Sequence, residues 1–224
     1  MKLIIFDFDG TLVDSRKLII ESHRVVFGQF GFAPPSEDES LSLIGMSLEL
    51  VLSQLAGPDA PVGNMVAAYQ HLLPLLRADA AFAEVPFGGA ADLLAELAGH
   101  GDVRLGIATG HVSKAVEPAL ERFGWLNHFC TVQTADKAPS KPHPAMILQA
   151  LGESDVDADD AVMIGDTAFD IEMARAARVS GVGVSWGYHR PDRLRAAGAS
   201  RLATDMAELR EVLFETISSS RREL

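Results

Sequence analysis

The chain has 224 residues, 48% of them hydrophobic, enough for one sizeable core or a core with a small accessory domain. Its 31 Asp and Glu outweigh 19 Lys and Arg to a net charge of −12, and with no basic patch it excludes a nucleic-acid partner, because a phosphate backbone needs a cationic surface. A single cysteine, Cys130, rules out an internal disulfide framework, no apolar run is long enough to span a membrane, and the apolar start is cut at Asp7, so a cytoplasmic protein without signal peptide or membrane contact is expected.

The first element is the run Leu3-Ile4-Ile5-Phe6, too short for a membrane helix and rich in β-branched residues and Phe, which predicts a buried central parallel strand. Asp7 then stands at its carboxyl end, the edge where open α/β sheets bind ligands. Asp9-Gly10-Thr11 follows as a tight turn whose free backbone N–H groups can hold an anion. In isolation Asp-x-Asp-Gly reads as an ordinary turn; its weight comes from the segments that follow.

From Asp14 to residue 87 strand signals vanish, and the pattern predicts helices over 16–30, 41–55 with a break at Gly45, and 62–76, separated by Pro34-Pro35, Gly57-Pro58 and Pro61. A helical insert of roughly seventy residues is too long for a loop. The expected organisation is a core of residues 1–14 and 85–224 with an inserted helical domain at 15–84, hinged near 13–15 and 82–87. Gly45-Met46-Ser47 either dips toward the sheet edge or makes a plain turn between helices. His23 and Arg24 are expected on an exposed amphipathic face.

An amphipathic helix over 88–100 leads to a second strand at 103–108, which ends in Thr109-Gly110, a hydroxyl and a flexible backbone amide. His111 next to them reads as a helix-start residue, with contact to a substrate's far side as the alternative. A strand is expected at 129–132. In Ser140-Lys141-Pro142-His143-Pro144, Pro142 suits the first turn of a helix over 142–151 and holds Lys141 extended at its mouth, where a cation needs a specific negative partner. Ala161-Val162-Met163-Ile164 is another buried strand, closed by Gly165-Asp166-Thr167-Ala168-Phe169-Asp170, and a last strand at 181–184 completes an α/β fold with a Rossmann-like three-layer core around a parallel sheet. Four acids, Asp7, Asp9, Asp166 and Asp170, converge on one sheet edge and would repel unless a divalent cation held them; oxygen-only ligands point to Mg²⁺. No Gly-x-Gly-x-x-Gly follows the first strand and no Gly-Lys-Ser/Thr loop is present, which removes the nucleotide-binding reading.

Asp7-Phe-Asp9-Gly-Thr, then Thr109, then Lys141-Pro, then Gly-Asp166-Thr-Ala-Phe-Asp170 resembles the four ordered motifs of the haloacid dehalogenase-like hydrolase superfamily, from residue 2 to about residue 200. The helical insert resembles the C1 cap of subfamily I, which closes over the site, with Gly45, Met46, Ser47 and His111 as specificity candidates. The resemblance implies that Asp7 attacks phosphorus to form an aspartyl-phosphate and binds Mg²⁺ through its other oxygen. Asp9 would protonate the leaving oxygen and then activate water, with a pKa raised by nearby carboxylates, and would offer its backbone carbonyl to the metal. Phe8, Thr109, Gly110 and Lys141 would hold the phosphate, Lys141 also neutralising Asp7; Asp166 would bind the metal and Asp170 support it.

The presence of Asp9 argues for phosphoester rather than carbon–halogen chemistry, and Gly10-Thr11 for a hydrolase over a mutase, which commonly has Gly-Val there. The implied function is a Mg²⁺-dependent phosphatase of a small phosphorylated metabolite, 2-phosphoglycolate first among candidates, working as monomer or homodimer. Alternatives are a phosphotransferase or sugar phosphomutase on the same site, or a non-catalytic phospho-acceptor protein. Two details stand out. Arg178 occupies a place where relatives often have a helix-ending Gly, and Trp186-Gly187-Tyr188 either flanks the site or packs at its rim.

Overall fold

A computed structural model describes residues 1–219; residues 220–224, assigned to the core from the sequence, lie outside the described residues. In chain order the elements are β1 (Lys2–Phe6), β2 (Val13–Asp14), α1 (Arg16–Gln29), α2 (Glu37–Ser42), α3 (Leu48–Ala56), α4 (Val62–Ala78), β3 (Val85–Pro86), α5 (Ala90–Ala98), β4 (Val103–Ala108), α6 (Ser113–Arg122), β5 (Phe129–Gln133), α7 (Ala145–Ser154), β6 (Ala161–Gly165), α8 (Ala168–Ala176), β7 (Ser180–Val184), α9 (Pro191–Ala197), β8 (Arg201–Ala203) and α10 (Met206–Ser219).

Six strands form one parallel sheet in the order β5-β4-β1-β6-β7-β8, with β1 in register against both β4 and β6. β1 is apolar throughout because both its faces are covered. Ile4 and Phe6 join a cluster with Leu93, Leu94, Val116 and Leu213 of α5, α6 and α10, while Leu3 and Ile5 pack with Ile147 and Met173 of α7 and α8 on the other side. This is the three-layer arrangement expected from the alternation of strands and helices.

Helices α1, α3 and α4 build a separate core of Leu18, Val26, Phe27, Leu52, Met65 and Leu73, while Leu41 of α2 packs with Ile19 and Ile44. The chain enters them through β2 and returns through β3, and these two short strands pair antiparallel, Val13 opposite Pro86 and Asp14 opposite Val85. Phe87 N donates to Leu12 O at 3.0 Å and extends the pairing.

The structure corrects several expected elements. The break expected at Gly45 separates two helices, but the first of them begins at Glu37, not Leu41, because Ser36 and Glu39 form a reciprocal capping box. Helix α7 begins at Ala145, not at Pro142: residues 140–143 turn with His143 N donating to Ser140 O at 3.0 Å, and His143 Nδ1 takes the Ala145 N–H at 3.2 Å. Pro142 therefore lies in the turn, its peptide bond to Lys141 cis. The sheet continues past β7 to the three-residue strand β8. Arg178 takes the left-handed conformation itself, at φ 60°, so the helix-ending turn survives without glycine and Val179 N still reaches Ala174 O at 2.9 Å. No helix among the described residues is long and apolar enough to cross a membrane.

Candidate active site

Asp7 is the first residue beyond β1, and its N–H donates to Ile164 O of β6 at 2.9 Å, so its position is set by the sheet ladder. Lys141, delivered by the turn before α7 and fully buried in its side chain, puts Nζ 2.7 Å from Asp7 Oδ1 and 2.7 Å from Asp170 Oδ1. Asp7 and Asp170 are thus the negative partners expected for Lys141, although it stands in a turn and not at the mouth of α7. Asp170 is the third residue of α8, where its Oδ2 accepts from Thr167 N at 3.0 Å and Thr167 Oγ1 at 2.6 Å. Asp166, at the tip of β6, accepts from Thr11 Oγ1 at 2.9 Å and Tyr188 N at 2.8 Å.

Asp7, Asp166 and Asp170 bring carboxylate oxygens within 4.8 Å of one another, all buried. Burial and the neighbouring Asp170 push Asp7 well above the usual carboxylate range against the pull of Lys141, and push Asp166 up to about 7. Asp7 Oδ2 is buried without a hydrogen-bond partner. An orphaned carboxylate oxygen inside a ring of acids is the donor set a hard divalent cation satisfies, so the residues fit such an ion.

Asp9 lies at the neighbouring edge of the site, and here the structure overturns an expectation. Burial raises its carboxyl, but His111, Ser15 and Arg77 together outweigh burial and hold Asp9 below its ordinary value. His111 Nε2 stands 2.6 Å from Asp9 Oδ2, and the Ser15 hydroxyl donates to Oδ1. His111 therefore faces Asp9, at the start of the loop leading to α6. Thr109 is buried, its N–H bound to Gln133 O at 3.0 Å and its hydroxyl accepting from His111 N at 3.2 Å. The Phe8 N–H donates to Asp7 Oδ1 at 2.7 Å.

The 45–47 segment does reach this edge. A Cβ on Gly110 would stand 2.3 Å from Met46 O, Gly45 at φ 100° lies against Thr167, and Ser47 N donates to Ser140 Oγ at 2.7 Å. His189 adds a second tie: its Nδ1 accepts from Ala168 N at 3.0 Å, leaving Nε2 to donate to Ser42 O at 2.9 Å. Arg24 is exposed and paired with Glu21, but His23 is not on an exposed face. It is 1% exposed, because α1 packs with one side on α4 and lines the pocket above Asp7 and Asp9 with the same side.

Thr11, Ser15 and Glu84 carry no role in the sequence reading, which leaves Trp186-Gly187-Tyr188 open between flanking the site and packing at its rim. Thr11 and Ser15 hold acids, and their signal was proximity to Asp9. Tyr188 holds Asp166 through its N–H and accepts from Ser15 N at 3.1 Å through its hydroxyl, while Trp186 Nε1 donates to Thr11 O at 3.1 Å, so the Trp-Gly-Tyr segment clasps the site. Glu84 is buried between Arg77 and Arg122, each at 2.7 Å; although it lies near Asp9 and His111, these pairs occupy both its oxygens.

Residues 4–184 match the family model described as haloacid dehalogenase-like hydrolase. A "Probable phosphatase IndB" of Dickeya dadantii is 32% identical, over 92% of this chain and 91% of its own length. A "Phosphoglycolate phosphatase" of Agrobacterium fabrum is 28% identical over 97% of this chain and 94% of its own. A hydrolase structure from Pseudomonas syringae superposes with a TM-score of 0.83 at 25% identity, covering 96% of this chain and 99% of that one. The chain belongs to the haloacid dehalogenase-like hydrolase family and is a phosphoric monoester hydrolase of the phosphoglycolate-phosphatase-like kind.

Proposed function

We propose that the protein is a Mg²⁺-dependent phosphatase that acts through an aspartyl-phosphate on Asp7. The observation that carries this reading is the state of Asp7: one oxygen fixed by Lys141 and the Phe8 N–H, the other buried and unpartnered, beside Asp166 and Asp170. Asp7, Asp166 and the Asp9 carbonyl would hold Mg²⁺, which supplies charge neutralisation for the acids and the phosphoryl oxygens. Asp170, with both oxygens already bonded, supports the site by holding Lys141.

In the first half of the reaction an Asp7 oxygen attacks phosphorus, the phosphorus–ester oxygen bond breaks, and Asp9 gives its proton to the departing alkoxide. The arriving phosphate, a like charge, raises the proton affinity of Asp9 for this role. In the second half Asp9 takes a proton from water, whose oxygen attacks phosphorus, and Asp7 is released with inorganic phosphate. Thr109, the Gly110 N–H and Lys141 bind the phosphoryl oxygens, and the helical insert excludes bulk water. Every group comes from one chain, compatible with a monomer or homodimer, and the lone free Cys130 suits a reducing cytoplasm.

2-Phosphoglycolate is the substrate suggested by resemblance and by the name of the Agrobacterium relative. The test is phosphate release from a panel of sugar phosphates, nucleotides, 2-phosphoglycolate and 4-nitrophenyl phosphate, with and without Mg²⁺. Turnover that needs the ion and vanishes in Asp7→Asn supports the reading; turnover that survives Asp7→Asn, or faster transfer to a sugar acceptor than to water, overturns it.

A further inference from the structure

Beyond Asp7 and Asp9 the pocket continues into the helical insert, where Ile19, Ile44, Met46, Val51 and Leu73 face it. No lysine or arginine lines it among the described residues. The basic groups nearest to it are committed elsewhere, His111 Nε2 among them, which faces Asp9 at 2.6 Å. Lys141 is held between Asp7 and Asp170, and Arg77 turns its guanidinium onto Ala115 O at 2.8 Å and Glu84 at 2.7 Å. A carboxylate carried by the leaving group would lose its water there without gaining a lysine or arginine partner.

In the part of the wall that the helical insert provides, one polar atom is unanswered. His23 lines the pocket at 1% exposure, and its Nδ1 is buried with no hydrogen-bond partner. Burial pushes its imidazole down to about 4, so the ring is neutral near pH 7 and offers a hydrogen bond without charge. The other buried polar group of the wall, the Tyr69 hydroxyl, is already paired with Ser22. Buried polar atoms are rarely left without a partner unless a ligand or water supplies one.

We propose that the substrate is the phosphate monoester of an uncharged alcohol with an apolar or aromatic body, which fills this pocket and hydrogen-bonds His23 Nδ1. The proposal rests on the phosphatase reading for its phosphoryl end and, for the rest, on a wall without lysine or arginine among the described residues. It sets 2-phosphoglycolate aside as the preferred substrate.

The test compares benzyl phosphate, uridine 5′-monophosphate and 2-phosphoglycolate, all esters of primary alcohols, with Mg²⁺ present. It measures kcat/KM on the wild type and binding by calorimetry on Asp7→Asn. At least one neutral-bodied ester is expected to exceed 2-phosphoglycolate by about tenfold or more in both measurements. His23→Phe is expected to reduce the preference for the uridine ester over the benzyl ester about tenfold, the worth of one hydrogen bond. If 2-phosphoglycolate is bound and turned over best, the proposal falls while the phosphatase reading stands. If no ester is hydrolysed yet Asp7→Asn binds the neutral esters more tightly, the substrate class stands and the phosphatase reading falls. Equal binding of all three overturns the proposal.

Discussion

His111 Nε2 lies 2.6 Å from Asp9 Oδ2, and with the Ser15 hydroxyl on Oδ1 the carboxylate is held from both sides. A general acid–base works only when its oxygen is aimed at the proton it moves, and such groups contribute on the order of 10² to 10⁴ in rate. His111→Ala is expected to lower kcat by roughly 10- to 100-fold with KM changed much less, and His111→Gln, which keeps a polar atom near Asp9, to recover part of it. Steady-state kinetics of the two variants checks this; a kcat within twofold of wild type in His111→Ala would remove His111 as a positioning residue.

Lys141 is buried between two carboxylates, and taking it away leaves both without their counter-charge. Breaking a buried pair in this way costs about 3–5 kcal/mol. Lys141→Met should therefore lower the unfolding free energy from urea titration by an amount of that order, and the midpoint with it, in the absence of divalent ions, as well as removing phosphatase activity. An unchanged midpoint would mean that the acids take up protons and relax at little cost.

Gly110→Ala brings a methyl to within 2.3 Å of Met46 O and 2.9 Å of Gly45 O, so the 45–47 segment must lift. Because that segment forms part of the pocket wall, the expected result is a fall in kcat/KM of about tenfold or more, with stability lowered by about 1–3 kcal/mol. Gly101→Ala, where nothing lies within 4 Å, is the control and should leave both quantities unchanged.

The neutral state of His23 predicts an acid-dependent loss of stability. Its ordinary value is 6.5 and burial lowers it to about 4, with Tyr69 on the facing helix held un-ionised by its own burial. Below pH 6.5 the unfolded chain binds the proton that the folded chain refuses, so the contribution of His23 is complete above 6.5 and declines toward pH 4. The loss amounts to about 3 kcal/mol at most. Denaturant titrations between pH 7 and 4.5 should show a shallower decline in His23→Gln than in the wild type; identical slopes would place the proton elsewhere.

If Asp7 and Asp166 hold Mg²⁺, the ion stabilises the folded chain by mass action, by about 2.7 kcal/mol at one hundred times its dissociation constant. Thermal unfolding with and without Mg²⁺ should show that gain in the wild type and lose most of it in Asp166→Asn. A gain of equal size in the variant would exclude Asp166 as a ligand.

Much of this could be read before folding was considered in three dimensions. β1 and β6 are covered on both faces, so their apolar runs are unbroken and the polar residue that ends each run marks the sheet edge. The unreadable parts depend on partners far apart in sequence. His23 was assigned to an exposed face because α1 was considered by itself, whereas α4 and the pocket share the buried side. Glu84 meets Arg77 and Arg122, 7 and 38 residues away, with no local periodicity to announce it. The lowered acidity range of Asp9 follows from His111 and Ser15, which only the turn after β1 and the end of β4 bring together. β8 has three residues, Arg-Leu-Ala, too few to show a period.

The pairing of Val13-Asp14 with Val85-Pro86 puts the departure and the return of the helical insert side by side, one strand spacing apart. To the sheet, everything from Arg16 to Glu84 is a detour that begins and ends at the same place. A short two-residue turn could close the ribbon in its stead, and so could an unrelated helical segment whose ends meet at that spacing, without shifting the register of β1 against β4 or β6. A graft at these two points would carry a different wall to the pocket, provided that it kept Ser15, whose hydroxyl holds Asp9.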